Sequence, residues 1–366
     1  MKEEELRYVL ALQKVKGIGD INAKKLIAAC GTAENVFREK KNLLAKINGI
    51  GSYVLRHLND SAYLKAADIE LKLINQHRIK PLYFLDADYP TNLKNCVDAP
   101  ILMFQDGEYS FNSSKIISVV GTRRMTNYGR DFCEQMLSEL AKYKPIIVSG
   151  FAYGVDICAH KAAIQNKLTT IGVLAHGFGT LYPKAHKKYM ASMYEKGGFL
   201  SEFWYDEVPF KESFLKRNRI VAGIAQATVI IESANKGGAL VTADIANSYS
   251  RDVYALPGRA SDTYSKGCNS LIRDNKAALI ASPDDLVAML GWENSKKVKK
   301  VQPQLFVQLT EEEEIVSTYL SGRKNELLDV ISLECSIPVY RLASVLFQLE
   351  MKGVVRPLPG KLFELC

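Results

Sequence analysis

The sequence predicts an α/β protein built on a doubly wound parallel sheet. Three observations predict it. Short apolar runs alternate with segments of helical period from residue 116 to residue 256. The runs are apolar at nearly every position, as strands covered on both faces must be. Small-residue turns follow the strands, where a parallel sheet opens toward ligands.

The alternation begins at Ile116-Ile117-Ser118-Val119-Val120, which stops at Gly121-Thr122-Arg123-Arg124. Over residues 128–143, Phe132, Met136, Leu137 and Leu140 recur at helical spacing, and Ile146-Ile147-Val148 then ends in Ser149-Gly150-Phe151-Ala152-Tyr153-Gly154. This is a βαβ unit with a glycine turn after each strand. A helix over 154–165, a strand over 170–174, a loop with Gly177, Gly179, Tyr182 and Pro183, and a helix ending at Lys196 follow. Next come a strand over 199–202, a helix holding Arg217-Asn218-Arg219-Ile220, a strand over 228–232, a glycine-led helix over 237–249 and a strand over 253–256. Upstream, 81–85 and 101–104 are strands that extend the same sheet, so this domain occupies residues 66–292.

Its flanks differ. Residues 1–65 read as a helical module with a weak internal repeat, Gly17-Ile18-Gly19 echoed by Gly49-Ile50-Gly51. Each repeat resembles a helix-hairpin-helix (SAM-like) element, whose glycines turn the chain and whose amides meet a DNA phosphate in some proteins. Use in contact with another part of the protein is the favoured reading. Residues 293–304, with Lys296, Lys297, Lys299 and Lys300, read as a linker. In 305–366, Thr310 caps an acidic helix, 327–333 forms a short helix, and Leu342, Val345, Leu346 and Leu349 share one face of another. A hairpin through Pro359-Gly360 completes what resembles a winged helix. Its outward residues Tyr340, Arg341, Ser344 and Gln348 include a single cation, so base reading by this helix is not expected.

Among 366 residues, 48 Lys and Arg exceed 40 Asp and Glu, a net +8 that favours an acidic partner such as nucleic acid. Seven cysteines, at 30, 96, 133, 158, 268, 335 and 366, form no C-x-x-C pair and read as reduced core thiols. No charged-then-apolar leader and no membrane-length apolar run occur, which points to the cytoplasm and away from a membrane.

Four segments carry the chemistry. Arg123 and Arg124 occupy the first glycine turn, and residues 149–154 set backbone amides at a helix start. Arg217 and Arg219 diverge by about 200° on a helix, so one supports the fold and the other meets a ligand. Lys236-Gly237-Gly238 opens a helix as an anion nest, for which a plain tight turn is the simpler alternative. Asp156 and His160, one helical turn apart, suggest a hydrogen-bonded structural pair; a metal or acid-base role lacks a third ligand at suitable spacing. The sequence has no Gly-x-Gly-x-x-Gly in the first turn, no Walker motif, no nucleophile elbow and no zinc pattern. Binding without catalysis, cofactor or metal is the expectation.

Gly121-Thr122-Arg123, 149–156 with His160, Tyr182-Pro183, Ser201-Glu202, Arg217-Asn218-Arg219-Ile220, 237–243 and Pro257-Gly258 together resemble the DNA-processing protein A (DprA/Smf) family. The resemblance implies a Rossmann-like domain that binds single-stranded DNA, forms a homodimer, shields DNA taken up in natural transformation and helps load the RecA recombinase. It makes Arg123 a phosphate clamp, with Gly121, Thr122, Arg124, Ser149, Gly150, Phe151, Arg217, Asn218, Arg219, Lys236, Gly237 and Gly238 around it, and Lys184, Lys187 and Lys188 after Tyr182-Pro183 as further contacts. Phe151, Phe178 or Tyr182 would stack on bases. Two rivals remain: a nucleotide phosphoribohydrolase-like enzyme on a related scaffold, and an adaptor that binds no DNA. Residues 66–292 alone are expected to retain most single-strand affinity.

Overall fold

Apolar strands covered on both faces dictate the centre of the structure, a computed structural model describing residues 1–58, 60–292, 309–323, 325–358 and 362–365. Two compact units divide it, Met1–Gly291 and Trp292–Cys366. The first begins with six helices: α1 (Glu3–Lys14), α2 (Asp20–Cys30), α3 (Ala33–Arg38), α4 (Lys41–Leu44), α5 (Ser52–Leu58) and α6 (Ser61–Gln76). Helix α6 runs straight through residue 65, so no boundary falls there.

The sheet follows, with β1 (Lys80–Tyr83), α7 (Thr91–Lys94), β2 (Leu102–Asp106), β3 (Ile116–Val120), α8 (Asn127–Leu140), β4 (Ile146–Ser149), α9 (Val155–Gln165) and β5 (Thr170–Val173). Then come α10 (Lys187–Tyr194), β6 (Gly198–Ser201), α11 (Lys211–Ile224), β7 (Ala227–Ile230), α12 (Gly238–Ser248), β8 (Asp252–Ala255), α13 (Lys266–Arg273), β9 (Ala278–Leu279) and α14 (Pro283–Met289). The strand order is β1-β2-β6-β5-β4-β3-β7-β8-β9. Strands β3 to β9 are parallel to their neighbours, while β2 joins β6, and β1 joins β2, antiparallel. The predicted doubly wound sheet is therefore present, carrying two antiparallel edge strands.

The helical periodicity reports real faces. In α8, Thr126 accepts the Gly129 N–H as N-cap, and Phe132, Met136, Leu137 and Leu140 are the residues turned inward. Burial of such side chains contributes about 1.5–3 kcal/mol each. The helical module shares its core with the sheet edge, since Leu10, Leu26 and Leu58 lie in one apolar cluster with Tyr83, Leu102 and Phe104. Helix α2, which follows the first glycine turn, meets the second turn: Lys25 Nζ donates to the Asn48 carbonyl at 3.2 Å, and Asn22 Nδ2 to the Gly49 carbonyl at 3.5 Å. Asp20, at the start of α2, accepts from Ile101 N–H at 2.9 Å. The glycines of both turns remain exposed.

The second unit holds α15 (Glu311–Leu320), β10 (Glu326–Leu327), α16 (Leu328–Glu334), α17 (Val339–Met351), β11 (Val355–Leu358) and β12 (Leu362–Leu365). Thr310 and Glu313 form a capping box. Helices α16 and α17 meet at 106°, within the range of a helix-turn-helix. Leu342, Val345, Leu346 and Leu349 form the buried face of α17. A β10-β12-β11 sheet supplies the wing. The proposed linker at 293–304, the Pro359-Gly360 turn and Cys366 lie outside the described residues. The other six cysteines are free thiols, four of them buried. No single helix among the described residues is long and apolar enough to cross a membrane.

Candidate nucleic-acid interface

Strand β3 lies where the order reverses, with β4, β5 and β6 on one side and β7, β8 and β9 on the other. A crevice opens at such a switch point beyond the carboxyl ends of the strands. Here it is a cavity of about 640 Å³ bounded by the turns after β3 and β4, helix α11 and the start of α12.

The first turn is held at several points. Thr122 N–H donates to the Glu232 carbonyl at 2.7 Å, and the Thr122 carbonyl accepts from Val155 N–H at 3.1 Å. The buried Glu232 carboxylate accepts from Thr126 N–H at 2.8 Å and from the Thr126 hydroxyl at 2.6 Å. Gly154 permits the close approach: its φ is +76°, and a Cβ there would overlap the Thr122 carbonyl. Arg123 and Arg124 thus project, exposed, from a fixed backbone.

Helix α11 forms the opposite wall. Lys211, Phe214, Arg217 and Asn218 line the cavity, and their spacing places them on one helical face. Arg217 is buried, and its Nη1 donates to the Val173 carbonyl at 2.6 Å. It lies beneath Gly150, where a Cβ would overlap the guanidinium. Burial lowers the Arg217 pKa while Asp156 opposes that shift. Burial likewise raises the Asp156 carboxyl, and Arg217 and the Ala152 N–H hold it back. Across the cavity, Gly237 starts α12 with no side chain capping the helix amides. Lys236, Gly237 and Gly238 are exposed there. The Arg123 guanidinium carbon sits 5.4 Å from the centroid of Phe214. Arg123, Arg124, Lys211, Arg217 and Lys236 therefore surround one lining carboxylate, Asp156. Such a cleft suits a phosphate that carries a planar apolar group.

Of the residues singled out in the sequence, the cavity unites Gly121, Thr122, Arg123, Arg124, Gly150, Arg217, Asn218, Lys236, Gly237 and Gly238. Others lie elsewhere. Arg219 points to the far side of α11, where its Nη2 bonds Glu202 Oε2 at 2.5 Å and Asp20 Oδ2 at 3.0 Å. Ser149 spends its hydroxyl inside the sheet on the Val119 carbonyl, at 2.6 Å. Phe151 is 1% exposed among Leu174, Met193 and Phe199, so it supports the floor and offers no face to a base. Phe178 is half-buried against two apolar clusters. Tyr182 is exposed and stands edge-on to Phe214 at 5.7 Å, outside the lining. Lys184 is exposed and does not line the cavity.

The second turn is less open than its glycines suggest, because Ala152 N–H donates to Asp156 and Val155 N–H to Thr122. The start of α12, by contrast, carries no side-chain cap. Asp156 and His160 are not partners of each other: His160 Nδ1 shares a 2.7 Å hydrogen bond with Thr170 Oγ1, and burial pushes its pKa down to about 3. Lys211 and Phe214 were missed. Their three-residue steps toward Arg217 were the available signal.

The sequence model described as DNA recombination-mediator protein A matches residues 80–291, and that of the DprA winged helix domain matches 309–361. This chain belongs to the DprA/Smf family. It is 31% identical to Protein Smf of Synechocystis over 80% of this chain and 74% of that one. It is 37% identical to the DNA processing protein DprA of Streptococcus pneumoniae over 56% of this chain and 72% of that one. The crystal structure of the pneumococcal DprA aligns with a TM-score of 0.66 at 32% identity, covering 77% of this chain and 97% of that one. DprA of Helicobacter pylori, solved to describe its single-stranded DNA binding mode, gives a TM-score of 0.53 at 28% identity, covering 59% and 96%. The DprA match begins at β1, so helices α1 to α6 precede it.

Proposed function

We propose that this protein binds single-stranded DNA in the cavity at the switch point, shields DNA taken up in natural transformation and helps deliver it to the RecA recombinase. It does so in the cytoplasm as a homodimer, and the reading assigns the cavity no catalytic step. One observation carries it: four exposed cations, the buried Arg217 and the uncapped start of α12 surround a cavity with Phe214 at its wall. Backbone phosphates are the ligand common to every sequence, and an aromatic face accepts any base, so binding of this kind is sequence-tolerant and salt-sensitive. Membership of a recombination-mediator family supports the hand-over to a recombinase.

The test is fluorescence anisotropy of a labelled oligothymidine with a salt titration and a duplex competitor, comparing the intact protein with Arg123→Ala. The expected outcome is salt-sensitive binding that prefers the single strand and is weakened at least about tenfold, or ~1.4 kcal/mol, by the substitution. Equal affinity for duplex, or no loss in the variant, would overturn the assignment.

A further inference from the structure

A second cavity, of about 610 Å³, adjoins the first and shares Arg123 and Arg124 with it. The two arginines form the ridge between them. Beyond that ridge the wall carries Arg130 from α8, Lys161 from α9 and Lys188 from α10, all exposed, against a single lining carboxylate, Glu134. Among the described residues none of these five cations makes an ion pair, although ion pairs form elsewhere among them. Five unpaired cations converging on one concavity repel one another, and an anion relieves that repulsion.

The same concavity carries aromatic faces. Tyr153 is 45% exposed, and its ring is set edge-on against the buried His186 at 4.9 Å, which holds it in place. Tyr189 has the Lys161 and Lys188 ammonium groups 6.0 and 5.1 Å from its centroid, so both cations are gathered above one ring. Cations with an adjacent exposed ring are the chemistry of a second nucleotide site, and sharing Arg123 and Arg124 makes it continuous with the first.

We propose that this trough is a second subsite on the path of the same DNA strand: Arg130, Lys161 and Lys188 take the phosphates that follow those held at Arg123, and Tyr153 stacks on a base. The inference rests on the single-strand reading above. It adds that the strand leaves the switch-point cavity across the Arg123-Arg124 ridge toward α8, α9 and α10, so the footprint on one chain exceeds the first cavity.

The full chain carrying Arg130→Ala, Lys161→Ala and Lys188→Ala tests this against oligothymidines of about 4 and about 12 nucleotides, the span of single-strand sites. The longer oligomer is expected to bind at least tenfold more weakly, with its salt slope flattened by up to about 2, given roughly 0.7 per single-strand phosphate contact. The shorter one is expected to keep its affinity within about twofold. Tyr153→Ala should weaken the longer oligomer while Tyr153→Phe restores it. All substituted side chains are exposed, and an unchanged melting temperature establishes that the variants fold. Unchanged affinity and slope for the longer oligomer, with Arg123→Ala still defective, would overturn the second subsite and leave the first standing. Equal weakening of both lengths would also overturn it. Failure of the unsubstituted protein to bind either oligomer would remove both readings.

Discussion

Two phenylalanines separate floor from platform. Phe214 is half-exposed at the cavity wall beside Arg123, whereas Phe151 is sealed under the second turn. Phe214→Ala is expected to keep the melting temperature and lose about 1–3 kcal/mol of single-strand affinity, the worth of one base–aromatic stack. Phe151→Ala should instead cost about 3–5 kcal/mol of stability through the cavity it leaves. Thermal melting and anisotropy on the same two variants check both halves; affinity lost by Phe151→Ala at full stability would reverse the roles. The difference marks where the sequence was readable. Arg123 and Lys236 stand in turns directly after strands, a position that itself implies the ligand side of a parallel sheet. Phe151 stands in such a turn too, but the left-handed backbone there, φ +60°, turns its ring inward, and no periodicity reports that. Lys211 and Phe214 share a helical face with Arg217, but the placement of α11 against the switch point is what gives that face a purpose.

At the scale of elements, α11 serves two neighbours. One face lines the cavity through Lys211, Phe214 and Arg217, while Arg219 on the other bonds Glu202 and Asp20 of the helical module. Helix α6 makes a second tie, through Glu70, whose Oε1 accepts from Tyr205 N–H at 2.8 Å. Burial raises the Glu70 pKa to about 7, with Lys14 opposing the shift and Glu207 and Asp206 adding to it. A folded pKa above the unfolded one means that the native state holds the proton more tightly. This contribution is therefore fully present below about pH 4.5 and is lost as pH rises through about 7. Glu70→Gln keeps a carbonyl acceptor for Tyr205 and removes the titration. Denaturant melts at about pH 5 and about pH 8 should show a stability drop, on the order of 1 kcal/mol after solvent screening, that the variant lacks. An equal drop in Glu70→Gln would place the titrating group elsewhere. Such seams explain why element identity was legible and boundaries less so. Alternating apolar runs disclosed the parallel strands, and the spacing of Leu342, Val345, Leu346 and Leu349 disclosed the buried face of α17. The continuation of α6 past residue 65 follows instead from Glu70 and Ile74 meeting the rest of the unit, a tertiary reason with no local signature.

For the whole molecule, the two units each close their own core. Leu10, Leu26 and Leu58 share one cluster with Tyr83, Leu102 and Phe104, while Val316, Ile331, Leu342 and Leu349 lie together in the other. A chain ending after Gly291 keeps the first core and every residue lining both cavities. It is expected to bind oligothymidine within about threefold of the intact protein, a difference under ~0.7 kcal/mol. By calorimetry it should lose one transition and keep the other within about 2 °C, a shift equivalent to less than ~1 kcal/mol for a domain of this size. Removal of residues 1–65 has a different consequence. It severs α6 inside its helix and uncovers Tyr83, Leu102 and Phe104, so the remaining chain should unfold at much lower temperature or aggregate. Residues 66–292 alone are therefore expected to lose the single-strand affinity that the sequence reading assigned to them, because the helical module shares their core. A soluble 66–292 fragment with the melting temperature and single-strand affinity of the longer chain would show instead that α1 to α5 are dispensable cover.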